Sequence, residues 1–552
     1  MFDTASKRHR FRVVVPAYPA FNVYSNIARV TTSLGPVLVA TNVNRMAAWD
    51  AEVIDENNLR LHGPVAPGGG ADHAWLQRQR PADVVGLYGG LTSTVPRLYA
   101  IARFYKERGI VTVAGGQHFS GANIPDALSR GIDYVVTGEG EETIRELIEG
   151  LEGRRDIGGI RGIAYLKDGV CVRTPAREQL RDFDKLPLPD FGLVRYAKIK
   201  VYPVERIRGC GMDCEFCTVK GAPRAACPER LLEQVRVLVE TRDARHFFIV
   251  DDLFGQHREE TLEFCRGLKA YQASIRKRLD FTVQIRLDKA RDPALLAAMR
   301  AAGINMVCIG FESPIAEELK AMNKHIDPRE MVALARVFHA SGFLVHGMFI
   351  FGYPLDNGAA FDMTARERAR RYQAFIRQAR LDTIQVLLPV PLPGTRLSER
   401  LQGQARIFDT ADVGWEYYDG NFPVFEPDAP LTPEDMQAAQ RHIMAWFYRP
   451  GYALKLAFDV LIFPALVFFL HDIRCGWRHW YRGWRNDLIR LAGWGIVRGW
   501  SVNFKKDGFL GKLKEARERI GLRPCVSSRA RVSWAYGYCE KTENNNKTEV
   551  CG

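Results

Sequence analysis

Short, continuously apolar runs separated by longer helical stretches set the pattern of the first 150 residues. The runs Phe11–Pro16, Ala51–Ile54, Val84–Tyr88, Val111–Ala114 and Tyr134–Val136 do not alternate apolar with polar. They therefore predict strands buried on both faces of a parallel sheet. Helical periodicity fills the gaps, as at Val95–Glu107, and the alternation predicts a doubly wound, Rossmann-like α/β domain over residues 1–150. Such sheets take ligands beyond the carboxyl ends of their strands. Gly89-Gly90-Leu91-Thr92-Ser93 and Gly115-Gly116-Gln117-His118 stand at two of those ends, and paired glycines let a bulky ligand approach the backbone.

Residues 151–200 break the pattern and read as a connector. A hairpin is predicted around Asp168-Gly169, followed by an extended linker at Leu186-Pro-Leu-Pro-Asp190. Alternation resumes over residues 201–395. Candidate strands are His246–Asp251, Phe281–Ile285, Met306–Phe311, Leu344–Phe351 and Thr383–Leu388, with a sixth just before residue 210. A helix at Pro293–Ala302 ends on Gly303. Six strands predict a partial (β/α)6 barrel of the TIM type, whose functional groups belong at the carboxyl ends. The polar residues there are Asp251, Asp252, Arg286, Asp288, Glu312 and Ser313. Buried carboxylates at such ends need partners; a ribose hydroxyl or an ammonium group would serve. Residues 396–450 read as a barrel-closing extension, after the proline-stiffened exit Pro389–Thr395. The aromatic loop Trp415–Phe425 within it is either a lid over the barrel mouth or packing.

Between linker and barrel lies Arg208-Gly-Cys-Gly-Met-Asp-Cys-Glu-Phe-Cys-Thr-Val-Lys220. Cys210, Cys214 and Cys217, spaced C-x3-C-x2-C, can hold one iron–sulfur cubane as thiolates and leave one iron without a protein ligand. An open iron can bind and reduce a molecule, which a fully ligated electron carrier cannot. The alternatives are three buried thiols without metal, or a structural zinc site. Zinc would want a fourth close ligand, for which Cys227 is the nearby candidate, although Pro228 marks it as the entry to a helix.

The cysteine loop, with the aromatic Phe216 before its last cysteine, resembles the signature of radical S-adenosylmethionine enzymes, and the resemblance covers roughly residues 10–450. It implies a 4Fe-4S cluster whose open iron chelates S-adenosylmethionine, and reductive cleavage of the sulfonium to a 5′-deoxyadenosyl radical. It carries roles in holding S-adenosylmethionine or facing the substrate to Arg286 and Glu312, and likens Gly347–Gly352 to the strand packing beside the adenine. Asp251 and Asp252 are left between a structural and a substrate-side role. The first domain resembles the cobalamin-binding domain of one large subgroup. The Leu91–Thr94 loop and Gly115-Gly116 match the places where that domain holds the corrin ring and the nucleotide tail. The D-x-H-x-x-G motif that gives a histidine to cobalt is missing after the first strand, where the chain reads Val-Pro-Ala-Tyr-Pro-Ala-Phe. Cobalamin is thus expected base-off without a histidine ligand. His118 is the one histidine placed to matter, as a ligand or as a loop hydrogen-bonding residue. A sheet that has lost its cofactor is the bland alternative. The subgroup's commonest reaction is methylation of an unactivated carbon; it also contains cyclases and rearranging enzymes. The expected substrate is a small hydrophobic molecule, with no nucleic acid, and the electron donor a flavodoxin or ferredoxin. A methylthiotransferase fits less well, since no second cysteine-bearing N-terminal domain and no terminal RNA-binding barrel is seen. A non-catalytic cobalamin or cluster sensor is the competing class, but it would not need polar strand ends around an open cluster.

At 552 residues, 47% hydrophobic and 26% charged, the chain has room for several cored domains and is not a disordered polymer. Eleven cysteines without a disulfide-like framework, and a polar start with no apolar signal core, indicate a reducing cytoplasm. The net charge of +13 is concentrated after residue 445, which favours a surface-binding tail over nucleic acid. Ala457–Leu470 is apolar but is interrupted by Asp459 and Pro464, and too short for the about 20 residues of a span. Trp477, Trp480, Trp484, Trp494 and Trp500 then mix with Arg474, Arg478, Arg482, Arg485, Arg490 and Arg498. Residues 451–525 accordingly read as a basic, aromatic helical region. It either lies on the inner face of a membrane or caps the barrel. Residues 526–552 read as a disordered tail.

Overall fold

The computed structural model describes residues 9–23, 25–59, 63–219, 221–355, 362–461 and 473–522, without the side chains of 459, 461, 473–480, 482, 505, 506, 521 and 522. Most of the apolar run Ala457–Leu470, the side chains of Trp477, Trp480, Arg474, Arg478 and Arg482, and the tail 526–552 lie outside this description.

Eight strands form the first sheet: β1 (His9–Val15), β2 (Trp49–Asp55), β3 (Val84–Tyr88), β4 (Val111–Gly115), β5 (Tyr134–Val136), β6 (Ile163–Lys167), β7 (Val170–Arg173) and β8 (Val194–Arg195). Their order is β7-β6-β5-β4-β3-β1-β2-β8. The order reverses at β1, which pairs in parallel with both β2 and β3, and this is where a doubly wound sheet opens a ligand crevice. The segment read as a connector is part of this sheet. Its hairpin adds β6 and β7 antiparallel beside β5, and β8 pairs with β2 at the other edge. Local turn chemistry announces the hairpin, whereas the edge on which it docks is a long-range choice.

The barrel sheet is built from β9 (Val201–Val204), β12 (His246–Phe254), β13 (Asp280–Ile285), β14 (Ile304–Glu312), β15 (Leu344–Ile350) and β16 (Thr383–Leu387). They are all parallel, in the order β16-β15-β14-β13-β12-β9. Two further short strands, β10 (Ile207–Arg208) and β11 (Arg224–Ala225), pair antiparallel across the neck of the cysteine loop. An open parallel edge leaves backbone groups to satisfy. At β16 the helix Pro433–Phe447 and the residue after it supply the partners. Gln440 Nε2 donates to the Val386 carbonyl at 2.9 Å. The Tyr448 hydroxyl donates to the Ile384 carbonyl at 2.7 Å and accepts the Ile384 N–H at 2.9 Å.

The aromatic loop packs. Tyr417, Tyr418 and Phe422 are buried in one cluster with Phe21, Phe504 and Phe509, so the first domain, the extension and the tail share a core there. The helix Ile473–Asp507 runs from the amino-terminal ends of the strands, where Asn486 Nδ2 donates to Asp382 at 2.6 Å, up to this cluster. There the Tyr417 hydroxyl donates to Asp507 at 2.6 Å and Asn503 donates to the Ala20 carbonyl at 3.0 Å. Trp500 and Val497 are buried against the barrel core and Trp494 packs beside them. Those residues therefore belong to the barrel-capping reading. Among the described residues no helix is long and apolar enough to cross a membrane.

Candidate active site

Two successive aspartates at the carboxyl end of β12 hold the backbone that enters the cysteine loop. Asp251 Oδ1 accepts the N–H groups of Arg206 at 2.6 Å and Ile207 at 2.9 Å, and Asp252 accepts the Gly209 N–H at 2.7 Å. Complete burial pushes the Asp251 carboxyl up to about 7 against those two donors. Gly209 has φ +89°, and a Cβ there would come within 2.5 Å of the Ala222 carbonyl oxygen, so only glycine passes the neck under the β10–β11 pair. Inside the loop, the Cys217 N–H donates to the Cys214 carbonyl at 3.3 Å, and the Glu215 N–H donates to Met322 at 3.2 Å. Glu215 is clamped by the Tyr353 hydroxyl at 2.7 Å and by Arg400 at 2.6 and 2.8 Å. Phe216 meets the Tyr353 ring edge to face at 6.1 Å.

Burial raises the Cys214 thiol; the charge of Lys324 opposes this, while Cys217, Glu312 and Cys210 add to it. The three sulfurs and the Glu312–Lys324 pair, 2.7 Å apart, therefore share one electrostatic neighbourhood. No three Cys, His, Asp or Glu side chains converge as an ion site among the described residues. Cys227 is exposed at the start of the helix Pro228–Arg242, its N–H held by Asp184. Arg286 reaches the loop through Met212, Nη1 to Sδ at 3.5 Å, and pairs with Asp288 at 3.0 Å. Thus Phe216 packs within the loop, and Arg286 and Glu312 border it.

In the first domain a cavity of about 320 Å3 opens beyond β3, β4 and β5, lined by Gly86, Gly115, Gly116 and Gln117 from the sheet side and by Glu205 and Arg208 from the barrel side. Its glycines cannot be replaced freely. A Cβ on Gly86 would stand 2.8 Å from the Phe11 ring, and one on Gly116, at φ +124°, would stand 2.5 Å from the Gly89 carbonyl carbon. The lining is mostly apolar residues and glycines, with Glu139, Glu141, Glu205 and Arg208 among them, and the cavity is large enough for a heterocycle such as the nucleotide tail of a cobalamin. Gly89, Gly90, Leu91, Thr92 and Ser93 do not line it. Gly90 lies under the Tyr88 ring, Thr92 and Ser93 are buried and Leu91 is exposed.

His118 is buried and enclosed. Its Nδ1 lies 3.3 Å from Thr92 Oγ1, its Nε2 lies 3.2 Å from Asn123 Nδ2, and Trp415 meets its ring edge to face at 5.1 Å. Burial lowers it to about 4, so it is a neutral imidazole holding two loops together.

The two regions touch. Thr218, next to Cys217, donates its hydroxyl to Gln117 Oε1 at 3.0 Å. Arg208 and Arg224, at either side of the loop's neck, meet Glu139 at 3.0–3.1 Å, and Arg208 meets Glu141 at 2.6 Å. Burial alone would raise Glu139, but Arg224, the Leu180 N–H and the charge of Arg208 hold it below its ordinary range. None of these contacts was anticipated from the sequence. The signal available was weak: two arginines flanking the cysteine loop, and Gly-Glu-Gly-Glu after β5.

A model of the Radical SAM superfamily matches residues 204–367, and one of the B12 binding domain matches residues 26–148. Together they span more than half of the chain. An uncharacterized methyltransferase of Pyrococcus horikoshii is 25% identical over 79% of this chain and 93% of its own length. The anaerobic magnesium-protoporphyrin IX monomethyl ester cyclase of Rubrivivax gelatinosus is 27% identical over 76% of each chain. The hopanoid C-2 methylase of Rhodopseudomonas palustris is 25% identical over 77% of this chain and 72% of its own. Among solved structures, the cobalamin-dependent S-adenosylmethionine radical enzyme OxsB, with aqua-cobalamin and S-adenosylmethionine bound, superposes with a TM-score of 0.58. It is 14% identical, over 96% of this chain and 84% of that one. The radical S-adenosylmethionine methyltransferase TsrM from Kitasatospora setae, with cobalamin and a [4Fe-4S] cluster, gives 0.57 at 17% identity over 72% and 78%. The cofactors are therefore a 4Fe-4S cluster, S-adenosylmethionine and cobalamin, and the chain is an enzyme. It belongs to the radical S-adenosylmethionine superfamily, in the subgroup that carries a cobalamin-binding domain ahead of the radical domain.

Proposed function

We propose that the enzyme methylates an unactivated carbon of a hydrophobic small molecule. The observation that carries this reading is the 3.0 Å hydrogen bond from Thr218 to Gln117. It sets the cysteine loop against the loop that follows Gly115-Gly116, so that one substrate can face both cofactors. When bound, the cluster with S-adenosylmethionine supplies a hydrogen-abstracting radical, and cobalamin supplies a methyl group. In this reading Cys210, Cys214 and Cys217 hold the cluster, Arg286 and Glu312 hold S-adenosylmethionine or face the substrate, and Phe216 packs the loop. Gly115 and Gly116 cradle the cobalamin tail, and the Gly89–Ser93 loop, braced by His118, borders the corrin. His118 is already engaged by Thr92, Asn123 and Trp415, which supports cobalamin bound without a histidine on the metal. The relatives named as a hopanoid methylase and as methyltransferases support methyl transfer and an apolar substrate. An electron donor such as a flavodoxin or ferredoxin would supply the reductant.

The division into a cobalamin domain, a radical barrel, an extension and a basic tail follows the same reading. Leu454, Phe458 and Val460 are exposed on the helix Gly451–Leu461, which supports peripheral contact with a membrane surface. That helix starts at the foot of the barrel, away from the cysteine loop, so contact there would locate the enzyme without seating its mouth on the bilayer.

The test is incubation with S-adenosylmethionine carrying a trideuterated methyl group, a reductant and a lipid extract of the host. Reductant-dependent deoxyadenosine together with a product heavier by one labelled methyl group is the expected result. Deoxyadenosine with an oxidised or ring-closed, unlabelled product would replace methyl transfer by cyclisation. No deoxyadenosine at all would leave a sensor.

A further inference from the structure

At the amino-terminal ends of β15 and β16 a cavity of about 340 Å3 opens between the helix Ala365–Gln378, the end of the helix Pro433–Phe447 and the helix Ile473–Asp507. It lies at the opposite end of the barrel from the cysteine loop. Four arginines line it: Arg377, Arg380, Arg449 and Arg490. The first three are exposed and meet no carboxylate within ion-pair distance among the described residues. Arg377 lies over the Trp446 ring and Arg449 over the Tyr452 ring, each at 5.5 Å. Arg490 is spread over Tyr452 at 5.5 Å and is fixed by the Leu381 and Asp382 carbonyls at 3.0 and 3.2 Å. The single lining carboxylate, Asp382, is buried and already taken by the Val345 N–H at 2.8 Å and by Asn486 at 2.6 Å. Arg490 also meets the buried Asp487 at 4.0 Å, so three uncompensated guanidinium groups remain around the cavity. They make a site that lacks an anion, and guanidinium forks suit phosphate oxygens.

The identity of the anion follows from what adjoins the cavity. Arg449 and Tyr452 stand at the root of the helix Gly451–Leu461, whose Leu454 is 79% exposed, with Phe458 and Val460 about half exposed. A phosphate site continuous with an exposed apolar helix matches the two ends of one kind of molecule, a charged headgroup and its acyl chains. We infer that the cavity holds the phosphate of an anionic phospholipid while Leu454, Phe458 and Val460 enter the acyl layer beside it. This rests on the membrane contact proposed above and gives it a site.

Two measurements separate the site from the contact. In flotation, the full chain should partition onto vesicles of phosphatidylcholine containing phosphatidylglycerol, and not onto phosphatidylcholine alone. Arg377→Glu/Arg380→Glu/Arg449→Glu should reduce that partition at least tenfold, and Arg380→Glu alone severalfold. Both variants should keep wild-type deoxyadenosine release, which reports an intact barrel. In calorimetry, monomeric dihexanoyl phosphatidylglycerol should bind the full chain and not the triple variant. Equal flotation of wild type and both variants would overturn the site while leaving membrane contact standing. Headgroup binding that is lost in the triple variant, without flotation by any form, would keep the site and remove the contact. Displacement of the lipid by equimolar inorganic phosphate would overturn the lipid assignment in favour of a free-anion site.

Discussion

The cysteine loop and the glycine-lined slot, proposed above to receive neighbouring cofactors, are built by opposite means. The loop is held by directed bonds: two aspartates on three N–H groups, a two-strand clasp across its neck, and Arg400 with Tyr353 on Glu215. The slot is held by what is missing, since without side chains Gly86 packs against the Phe11 ring and Gly116 against the Gly89 backbone, contacts that a single methyl group would break. Ligands bonded through fixed atoms need named side chains at fixed spacing. A ligand held by shape needs only the absence of side chains, which many sequences satisfy.

This contrast is broken most directly at the sulfurs. Cys210→Ala, Cys214→Ala and Cys217→Ala should each remove most bound iron and bring deoxyadenosine release below detection, since in the proposed function each thiolate is a direct ligand. Cys227→Ala should retain both. Iron and sulfide analysis with product chromatography decides it, and retention of cluster in any of the first three variants would undo the assignment.

The slot should fail by a different route. Gly116→Ala places a Cβ against the Gly89 backbone at a positive φ, a strain of about 1–3 kcal/mol. Cobalamin affinity should fall at least tenfold while iron content is unchanged. In the cobalt(II) form of the wild type, electron paramagnetic resonance should show no nitrogen superhyperfine splitting, and His118→Ala should leave the spectrum as it is. Splitting that vanished in that variant would put the histidine on the metal.

The directed bonds also predict a pH signature. The Asp251 carboxyl is raised in the fold to about 7, against about 3.9 when unfolded, so the unfolded chain ionises first. Its contribution to stability is complete below about pH 4, declines as pH rises to about 7, and is flat above that. Asp251→Asn can still accept both N–H groups. It should flatten the decline in denaturant titrations between pH 5 and 7, and an unchanged slope would mean that other groups set it.

The smallest effect is expected where the two regions meet. Gln117→Ala removes one hydrogen bond of about 1 kcal/mol. Both cofactors should remain bound, while the ratio of deoxyadenosine to methylated product rises a few-fold. A ratio identical to wild type would mean that the bridge does not help align the cofactors.

These differences also explain what could be read in advance. The cysteine spacing is a local fact, and the parallel strands betray themselves by continuous burial, so β3 starts and ends where its apolar run does. Asp251 and Asp252 stay between a structural and a substrate-side role in the sequence, because the N–H groups they hold lie more than 40 positions away. Gln117 and Thr218 are 101 residues apart, and neither residue type signals the contact. The docking of β6 and β8 on opposite edges of the first sheet is equally invisible to local pattern. The tail was ambiguous in another way. Tryptophan beside arginine serves a membrane interface and a helix packed over cations equally well, and Arg441 stacked on Phe504 at 4.6 Å, with Trp500 beside it, is the second case.

The helix Ile473–Asp507 acts as a tie rod. It is fastened to Asp382 below and to Tyr417 and Ala20 above, and about 1.5 Å per residue puts roughly 30 Å of rigid rod between those fastenings. A rod bolted to the barrel at one end and to the first domain at the other resists any swing that would part the two. In the proposed function the spacing of the two cofactors is then a dimension of the frame, set before any substrate arrives.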